Sequence, residues 1–208
     1  MQQVWVVTGL VVLLFFSRSL AAEEAPLAEE ATDKAEALEE AVAPESIPAP
    51  PPEPPPEPLT EPEVQAVDPT GDNPLEEPIT CLSRSIYWEA KGQPGIDMEA
   101  VANVVMNRLA HPGFPDTICA VVTQGSEQSP CQFSWWCDGR PDDVVNEEAY
   151  EVAKEVARQA LNQQLDDHTN GALYFHSRDV MPDWAAEYLL TIETDHFLFY
   201  RPEGDASH

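Results

Sequence analysis

Residues 80–109, TCLSRSIYWEAKGQPGIDMEAVANVVMNRL, decide the fold because two helical patterns are separated there by a short break. Thr80 is a suitable N-cap for a first helix that runs to Glu89 and is ended by the break at 92–94. Asp97 is a suitable N-cap for a second helix. Apolar residues recur along that helix three or four positions apart, at Met98, Val101, Val105 and Leu109.

A third helix and a short sheet follow. Apolar residues from Val145 to Ala160 keep helical spacing. Residues 172–176 and 191–200 are rich in β-branched and aromatic side chains, which favours two strands. Because strand and helix do not alternate repeatedly, this order predicts an α+β fold, mainly helical with a short β-sheet.

Aromatic residues mark out the folded part of the chain. Every aromatic residue after Phe16 lies between Cys81 and Tyr200, and a segment of about 120 residues is enough for one modest core. We therefore predict a single domain over 81–201, followed by a flexible tail over 202–208.

The segment 23–80 has the opposite composition. Residues 22–80 hold 14 of the 21 prolines and 17 acidic residues, with Lys34 as the only basic one. Without aromatics, and with carboxylates that repel one another, such a segment buries too little surface to offset its ordering entropy. We predict a disordered, acidic, Pro-rich linker that acts as a spacer, with transient helix up to Val42 and polyproline II over 48–58. A docking site for a protein partner is the alternative, but no motif identifies that partner.

Residues 1–22 are typical of an export signal. The apolar run over 4–16 has 13 residues, too few for a comfortable membrane span, and small residues suit cleavage after Ala21 or Ala22. No Lys or Arg precedes the run and Arg18 follows it, so an uncleaved anchor that tethers the protein to a membrane stays the alternative. We predict a periplasmic or otherwise exported protein.

The formal net charge of −28 excludes two classes of ligand. The chain has 38 acidic and 10 basic residues, whereas nucleic-acid-binding proteins carry clustered Lys and Arg. An anionic membrane surface also attracts the opposite sign of charge.

All four cysteines lie in the predicted domain. An even count in an exported domain indicates two disulfides. Four cysteines allow three pairings, of which we favour Cys81–Cys119 and Cys131–Cys137. The chain has no CxxC pair and no His at zinc-finger spacing, which argues against a structural metal.

Glu89 is the most informative candidate for catalysis. It ends the first predicted helix, where the helix dipole disfavours a carboxylate, and the neighbouring Tyr87 and Trp88 can desolvate it. Both effects raise the pKa of a carboxyl group, as a general acid requires near neutral pH. The alternative is an ordinary surface glutamate in an acidic protein.

Further candidates lie in an aromatic loop and two strands. Residues 132–136, QFSWW, place flat rings beside amide and hydroxyl groups, which suits stacking on sugars, although Phe133 also suits the core. His176 and His196 are candidate ligands or acid–base groups, with a hydrogen-bonded structural role as the alternative. No phosphate-binding loop, GxSxG elbow or HExxH motif is present.

Four blocks, in this order, resemble the catalytic domain of the spore-cortex-lytic cell-wall hydrolases of the SleB/CwlJ type. They are 86–93 (IYWEAKGQ), 100–108 (AVANVVMNR), 171–176 (GALYFH) and 195–201 (DHFLFYR), with supporting matches at 114–119 and 131–134. Together they span almost the whole predicted domain. Several blocks in the right order are more specific than any one alone.

The resemblance implies a small lysozyme-like domain that cleaves the glycan strands of peptidoglycan as a lytic transglycosylase, without metal or cofactor. It assigns the catalytic acid to Glu89; a second Glu that the family often has is Gln93 here. Arg108 is expected to form a structural ion pair. We assign substrate binding to Gln132, Phe133, Ser134, Tyr174, His176 and His196.

Two other functions remain as alternatives from sequence. A zinc-dependent peptidoglycan amidase or peptidase would use His176, His196 and a carboxylate as ligands. A non-catalytic wall-binding module would keep the fold without the chemistry.

Overall fold

The computed structural model describes residues 17–44, 55–90, 95–125 and 131–204, with side chains from residue 24 onward. The elements in these ranges are α1 (Ser17–Val42), α2 (Glu61–Ala66), α3 (Pro78–Glu89), α4 (Ile96–Leu109), α5 (Ile118–Thr123), α6 (Glu147–Leu161), β1 (Tyr174–Ser177), β2 (Leu189–Glu193) and β3 (Phe197–Arg201), with 3₁₀ segments at Ser134–Cys137 and Asp183–Glu187. None of the helices in this part of the chain is long and apolar enough to cross a membrane.

Helix α3 is the central helix of the domain. Every residue from Pro78 to Tyr87 is buried, and α4, α5 and α6 pack around the helix. The three predicted helices are confirmed, with shifted starts: α3 begins at Pro78 rather than after Thr80, because proline is suited to the first turn. Helix α4 follows Gly95, whose φ of 102° favours glycine, so Asp97 lies inside its first turn.

The three strands form one antiparallel sheet in the order β1-β3-β2. The single strand predicted over 191–200 is instead two strands joined by a turn at 194–196, where the Thr194 N–H and the Phe197 carbonyl close the hairpin at 2.9 Å. Phe197 and Phe199 pack against Ala100 and Val104 of α4. The observed fold is α+β, mainly helical with a short sheet, as predicted.

Residues 24–42 differ from the predicted disordered linker, because they belong to α1 and pack on the domain. Ala31, Ala35 and Leu38 are buried, and their spacing forms one face of a helix. The Glu39 carboxylate accepts a hydrogen bond from the N–H of Ile118 at the start of α5. Small apolar side chains and specific polar contacts therefore replace the aromatic residues that the segment lacks.

Residues 59–80 also differ from that prediction. Leu59 is buried, and the Asn162 side chain bonds both its N–H and its carbonyl at 2.8 Å. Asp68 is buried and accepts bonds from Arg84 at 3.0 Å and from the Tyr150 hydroxyl at 2.7 Å. The folded body therefore extends before Cys81, while residues 45–54, with most of the predicted polyproline stretch, lie outside the described residues.

Both favoured disulfide pairings are confirmed. Cys81–Cys119 joins the buried face of α3 to α5, and Cys131–Cys137 closes a short loop around the 3₁₀ segment. The first crosslink lies in the core and the second lies at the surface, since Cys81 is buried and Cys137 is exposed.

Candidate active site

Glu89 is the last residue of α3 and is half-buried. Its Oε1 accepts a hydrogen bond of 3.0 Å from the backbone N–H of Ser134. Ser134 begins the 3₁₀ segment inside the loop that Cys131–Cys137 closes. The disulfide loop therefore brings a backbone donor to the carboxylate at the end of the central helix.

Tyr87 and Trp88, which the sequence predicts to desolvate Glu89, form hydrogen bonds with residues 142–146. The Tyr87 hydroxyl accepts the N–H groups of Val145 and Asn146 at 3.2 and 3.1 Å, and Trp88 Nε1 donates to the Asp142 carbonyl at 3.1 Å. The polar atoms of both rings therefore hold residues 142–146 against α3. The backbone N–H of Ser134 donates a hydrogen bond to Glu89.

Arg108 is the buried cation of the site, with 2% of its surface exposed. Its Nε donates to the Leu173 carbonyl at 2.7 Å and its Nη2 to the Gln132 side-chain oxygen at 3.2 Å. Three rings surround its guanidinium carbon at 5.2 to 5.6 Å from their centroids: Phe114, Phe133 and Tyr174. Cation–π attraction and two hydrogen bonds offset part of the loss of water around this charge, whereas Nη1 is buried without a hydrogen-bond partner among the described residues.

Burial lowers the pKa of Arg108 to about 10, and the negative charge of the Glu89 carboxylate opposes that shift, as does Tyr174 when it is ionised. The guanidinium and the Glu89 carboxylate therefore interact electrostatically. The predicted structural ion pair is replaced by bonds to amide oxygens and contacts with rings, because the loop and β1 surround this end of α4.

Five of the seven predicted site residues lie together around Arg108 and Ser134. Glu89 contacts Ser134, and Gln132, Phe133 and Tyr174 contact Arg108. Phe133 is fully buried, so its ring supports the guanidinium and is not positioned to contact a sugar. This burial agrees with the core position that the sequence offers as the alternative for Phe133.

The His176 side chain is buried and hydrogen-bonded within the sheet. It is 8% exposed, its Nδ1 lies 2.8 Å from the Ser177 carbonyl oxygen, and its Nε2 lies 3.0 Å from the Tyr200 hydroxyl. Both ring nitrogens are therefore engaged by the sheet, and the substrate contact assigned to His176 stays a prediction.

His196 lies away from the other predicted residues. Its Nδ1 is 2.5 Å from Oδ2 of the buried Asp97, in the first turn of α4. Arg108 lies in the last turn of that helix, about 16 Å further along at 1.5 Å per residue. The structure thus separates His196 from the Glu89 cluster, and the described residues contain no group of three His, Cys, Asp or Glu arranged to hold a metal ion.

Sequence reasoning missed Arg108 as part of the site, together with two rings beside Tyr174. Tyr188 stacks on Tyr174 with centroids 4.7 Å apart, and Trp184 lies 5.8 Å from it. The sequence shows that 184–188 contains aromatic residues. Their position beside Tyr174 of β1 depends on the folded sheet and could not be predicted from the sequence.

The sequence model of the Cell Wall Hydrolase family matches residues 92–200, about half of the chain. The chain belongs to this family. The matched residues begin just after Glu89, so the match itself does not include the candidate acid.

Individual relatives agree with this membership. The chain is 33% identical over 105 residues to a spore cortex-lytic enzyme of Halalkalibacterium halodurans, a match that covers 49% of this chain and 27% of that protein. It is 31% identical over 101 residues to the spore cortex-lytic enzyme of Bacillus subtilis, covering 49% and 30%. This cell wall hydrolase chain therefore spans under a third of the length of these two relatives.

Two solved structures are also similar. The catalytic domain of the Bacillus cereus SleB protein has 27% identity and a TM-score of 0.48, with 59% of this chain and 88% of that chain covered. The catalytic domain of the germination-specific lytic transglycosylase SleB from Bacillus anthracis has 25% identity and a TM-score of 0.47, with 59% and 93% covered.

Proposed function

We propose that this cell wall hydrolase degrades peptidoglycan by cutting its glycan strands as a lytic transglycosylase, with Glu89 as the catalytic acid and then the base. The observation that carries the proposal is the half-buried Glu89 carboxyl group, held by the Ser134 N–H beside the buried Arg108. The family membership of 92–200 and the spore cortex-lytic relatives support the substrate class.

One carboxyl group is sufficient for this reaction. Retaining and inverting glycosidases use two carboxylates, the second as nucleophile or as base for a water molecule. In the proposed reaction the nucleophile is the 6-hydroxyl of the N-acetylmuramic acid residue. Because the substrate supplies its own nucleophile, no second carboxylate is needed. Gln93, where the family often has glutamate, is compatible with a single acid.

The two proton transfers restore the enzyme. Protonated Glu89 gives its proton to the glycosidic oxygen as the bond from that oxygen to the muramic C1 breaks. The 6-hydroxyl oxygen then bonds to C1, and the Glu89 carboxylate takes the hydroxyl proton, which leaves a 1,6-anhydro end. The Ser134 N–H and the Arg108 charge stabilise the carboxylate that exists between the two transfers.

The test is digestion of purified peptidoglycan by the parent and by Glu89→Gln. General acid–base catalysis contributes roughly 10²–10⁴-fold, so the variant should lose at least about 100-fold in rate while remaining folded. Glu99→Gln is the matched control, because that carboxylate lies on α4 beside His168 and outside the cluster. Mass spectrometry of the parent's products should find anhydromuramic ends with chelator present.

Other products would point elsewhere. Reducing muramic ends would indicate hydrolysis by water, and stem peptides released in a chelator-sensitive way would indicate an amidase or peptidase. Equal activity of Glu89→Gln and the parent would rule out Glu89 as catalyst. Binding without any digestion would indicate a wall-binding module.

We also propose that the protein acts outside the cytoplasm, with residues 1–22 as export signal. The disulfides Cys81–Cys119 and Cys131–Cys137 support this, since such bonds persist in oxidising compartments. N-terminal sequencing of the mature protein should begin at Ala22 or Glu23. A start at Met1 in a membrane fraction would favour the anchor instead.

A further inference from the structure

The two faces of the sheet carry different kinds of aromatic residue. Side chains alternate between the two faces of a strand, and the register pairs Phe175 with Phe199 and Tyr174 with Tyr200. The phenylalanine face packs against α4. The opposite face carries rings with polar atoms: Tyr174, His176 and Tyr200.

Two more rings extend this polar face. Trp184 and Tyr188 come from the segment between β1 and β2; Tyr188 stacks on Tyr174 at 4.7 Å, and Trp184 lies 5.8 Å from each of the two tyrosines. We call Tyr174, Trp184 and Tyr188 the aromatic ledge. All three side chains are half-buried, so each is held by the fold and still presents ring surface to solvent.

The ledge also presents polar atoms. Within the described part of the chain, no residue forms a hydrogen bond with the indole N–H of Trp184 or the hydroxyl of Tyr188. Leu189 and Leu190, which follow Tyr188 in the chain, are 44% and 41% exposed. Met181, three residues before Trp184, is 81% exposed. Exposed apolar surface next to rings with available polar atoms is typical of a binding surface.

The ledge is continuous with the candidate active site. Tyr174 belongs to the ledge and lies 5.6 Å from the guanidinium carbon of Arg108, which in turn interacts with Glu89. Arg108 therefore connects the ledge, through Tyr174, with the candidate acid.

We propose that the aromatic ledge is a carbohydrate subsite that binds an N-acetylated hexose of the glycan strand next to the cleavage point. This proposal rests on the proposed function for its substrate class. A sugar ring has an apolar C–H face that suits Tyr188 and Trp184, and hydroxyl and acetamido groups that suit their polar atoms.

The test measures binding without cleavage. In the Glu89→Gln background, the dissociation constant for tetra-N-acetylchitotetraose is measured by calorimetry for Trp184→Ala, Tyr188→Ala and the ring-retaining Trp184→Phe and Tyr188→Phe. Each alanine variant should weaken binding about tenfold, because an aromatic contact contributes on the order of one factor of ten. The phenylalanine variants should stay within about threefold, and Val145→Ala controls for loss of exposed apolar surface elsewhere.

Kinetics on peptidoglycan separate this subsite from the catalyst. With Glu89 intact, the alanine variants should raise KM about tenfold and change kcat less than about threefold. If both alanine variants are folded and bind the tetrasaccharide like the parent, the subsite is overturned, whatever Glu89 does. If Glu89→Gln stays active while the alanine variants still lose binding, the proposed catalyst fails and the subsite stands.

The intact fold gives a second readout. Titration with the tetrasaccharide should change the tryptophan fluorescence of the full chain, and Trp184→Phe should lose most of that change. An undiminished fluorescence change in Trp184→Phe would overturn the contact at Trp184, even if the alanine variants fail to fold.

Discussion

The two disulfides should separate stability from activity. Cys131–Cys137 closes the loop whose Ser134 N–H donates to Glu89, whereas Cys81–Cys119 joins α3 to α5 in the core. We compare a Cys131→Ser/Cys137→Ser double variant with a Cys81→Ala/Cys119→Ala double variant. Each removes one crosslink and leaves the other.

Chain entropy gives the size of the stability effect. Sequence separations of 38 and 6 residues correspond to about 4 and about 2 kcal/mol of crosslink stabilisation. In a chain of this size those values lower Tm by about 12 °C for the core pair and about 6 °C for the surface pair. The core pair therefore has the larger effect on unfolding.

The effect on activity should be the reverse. A hydrogen bond to a charged group contributes about 1.5–3 kcal/mol, so loss of the Ser134 contact should slow peptidoglycan digestion by roughly 10- to 100-fold. The core variant, assayed well below its Tm, should keep activity within about threefold of the parent. Calorimetric Tm and turbidity clearance of sacculi measure the two quantities on the same samples.

Two results would refute this reasoning. Full activity of the surface variant would mean that the loop holds Ser134 at Glu89 without its crosslink. An equal loss of activity in the folded core variant would mean that the site depends on the whole domain and not on the loop.

Three further predictions concern buried charges. Arg108→Lys should lower kcat and shift the pH–rate profile, because a lysine cannot reproduce the paired bonds to Leu173 and Gln132; unchanged kinetics would count against Arg108 as a positioning residue. Asp68→Asn should cost about 3 kcal/mol in urea unfolding at pH 7. Burial raises the pKa of Asp68, but hydrogen bonds from the Asn73 N–H, Tyr150 and Arg84 outweigh it and hold the pKa below its usual range. The parent should therefore lose stability as pH falls through that lowered pKa, and the variant should lack this loss. Burial raises the pKa of Glu39, although the hydrogen bond from the Ile118 N–H lowers it. The free energy of unfolding should therefore fall as the pH rises from the usual pKa of a glutamate through the raised pKa of Glu39. Glu39→Gln should remove this pH dependence in thermal melts.

Periodicity predicted the elements that pack against a large core. Helices α3, α4 and α6 were predicted because their apolar residues recur at helical spacing, and tertiary packing shifted only their ends. The hairpin of β2 and β3 was not predicted, since its turn at 194–196, Thr-Asp-His, contains neither glycine nor proline.

The N-terminal helix illustrates a limit of composition. Residues 22–80 lack aromatics, yet α1 buries Ala31, Ala35 and Leu38, and Lys34 binds Glu63 of α2 at 2.6 Å. These contacts join residues that are far apart in the sequence, so no local sequence pattern predicts them.

The candidate site was only partly predictable for the same reason. Glu89 stood out because of its position at a helix end, and the 132–134 block because of its composition. Arg108, Trp184 and Tyr188 acquire their roles from β1, which brings them together around Tyr174. His176 and His196 are the same residue type, and only the tertiary structure shows that the first lies against Tyr200 and the second against Asp97.

Docking of α1 has a consequence for the behaviour of the protein in salt. In a mobile tail, acidic side chains move apart and lower their mutual repulsion, whereas on a helix fixed to an acidic body they keep their distances. The fold therefore carries a permanent electrostatic strain that dissolved ions relieve, because the Debye length shrinks from about 30 Å at 0.01 M to about 8 Å at 0.15 M salt. We therefore expect the free energy of unfolding of this protein to rise with ionic strength over this range.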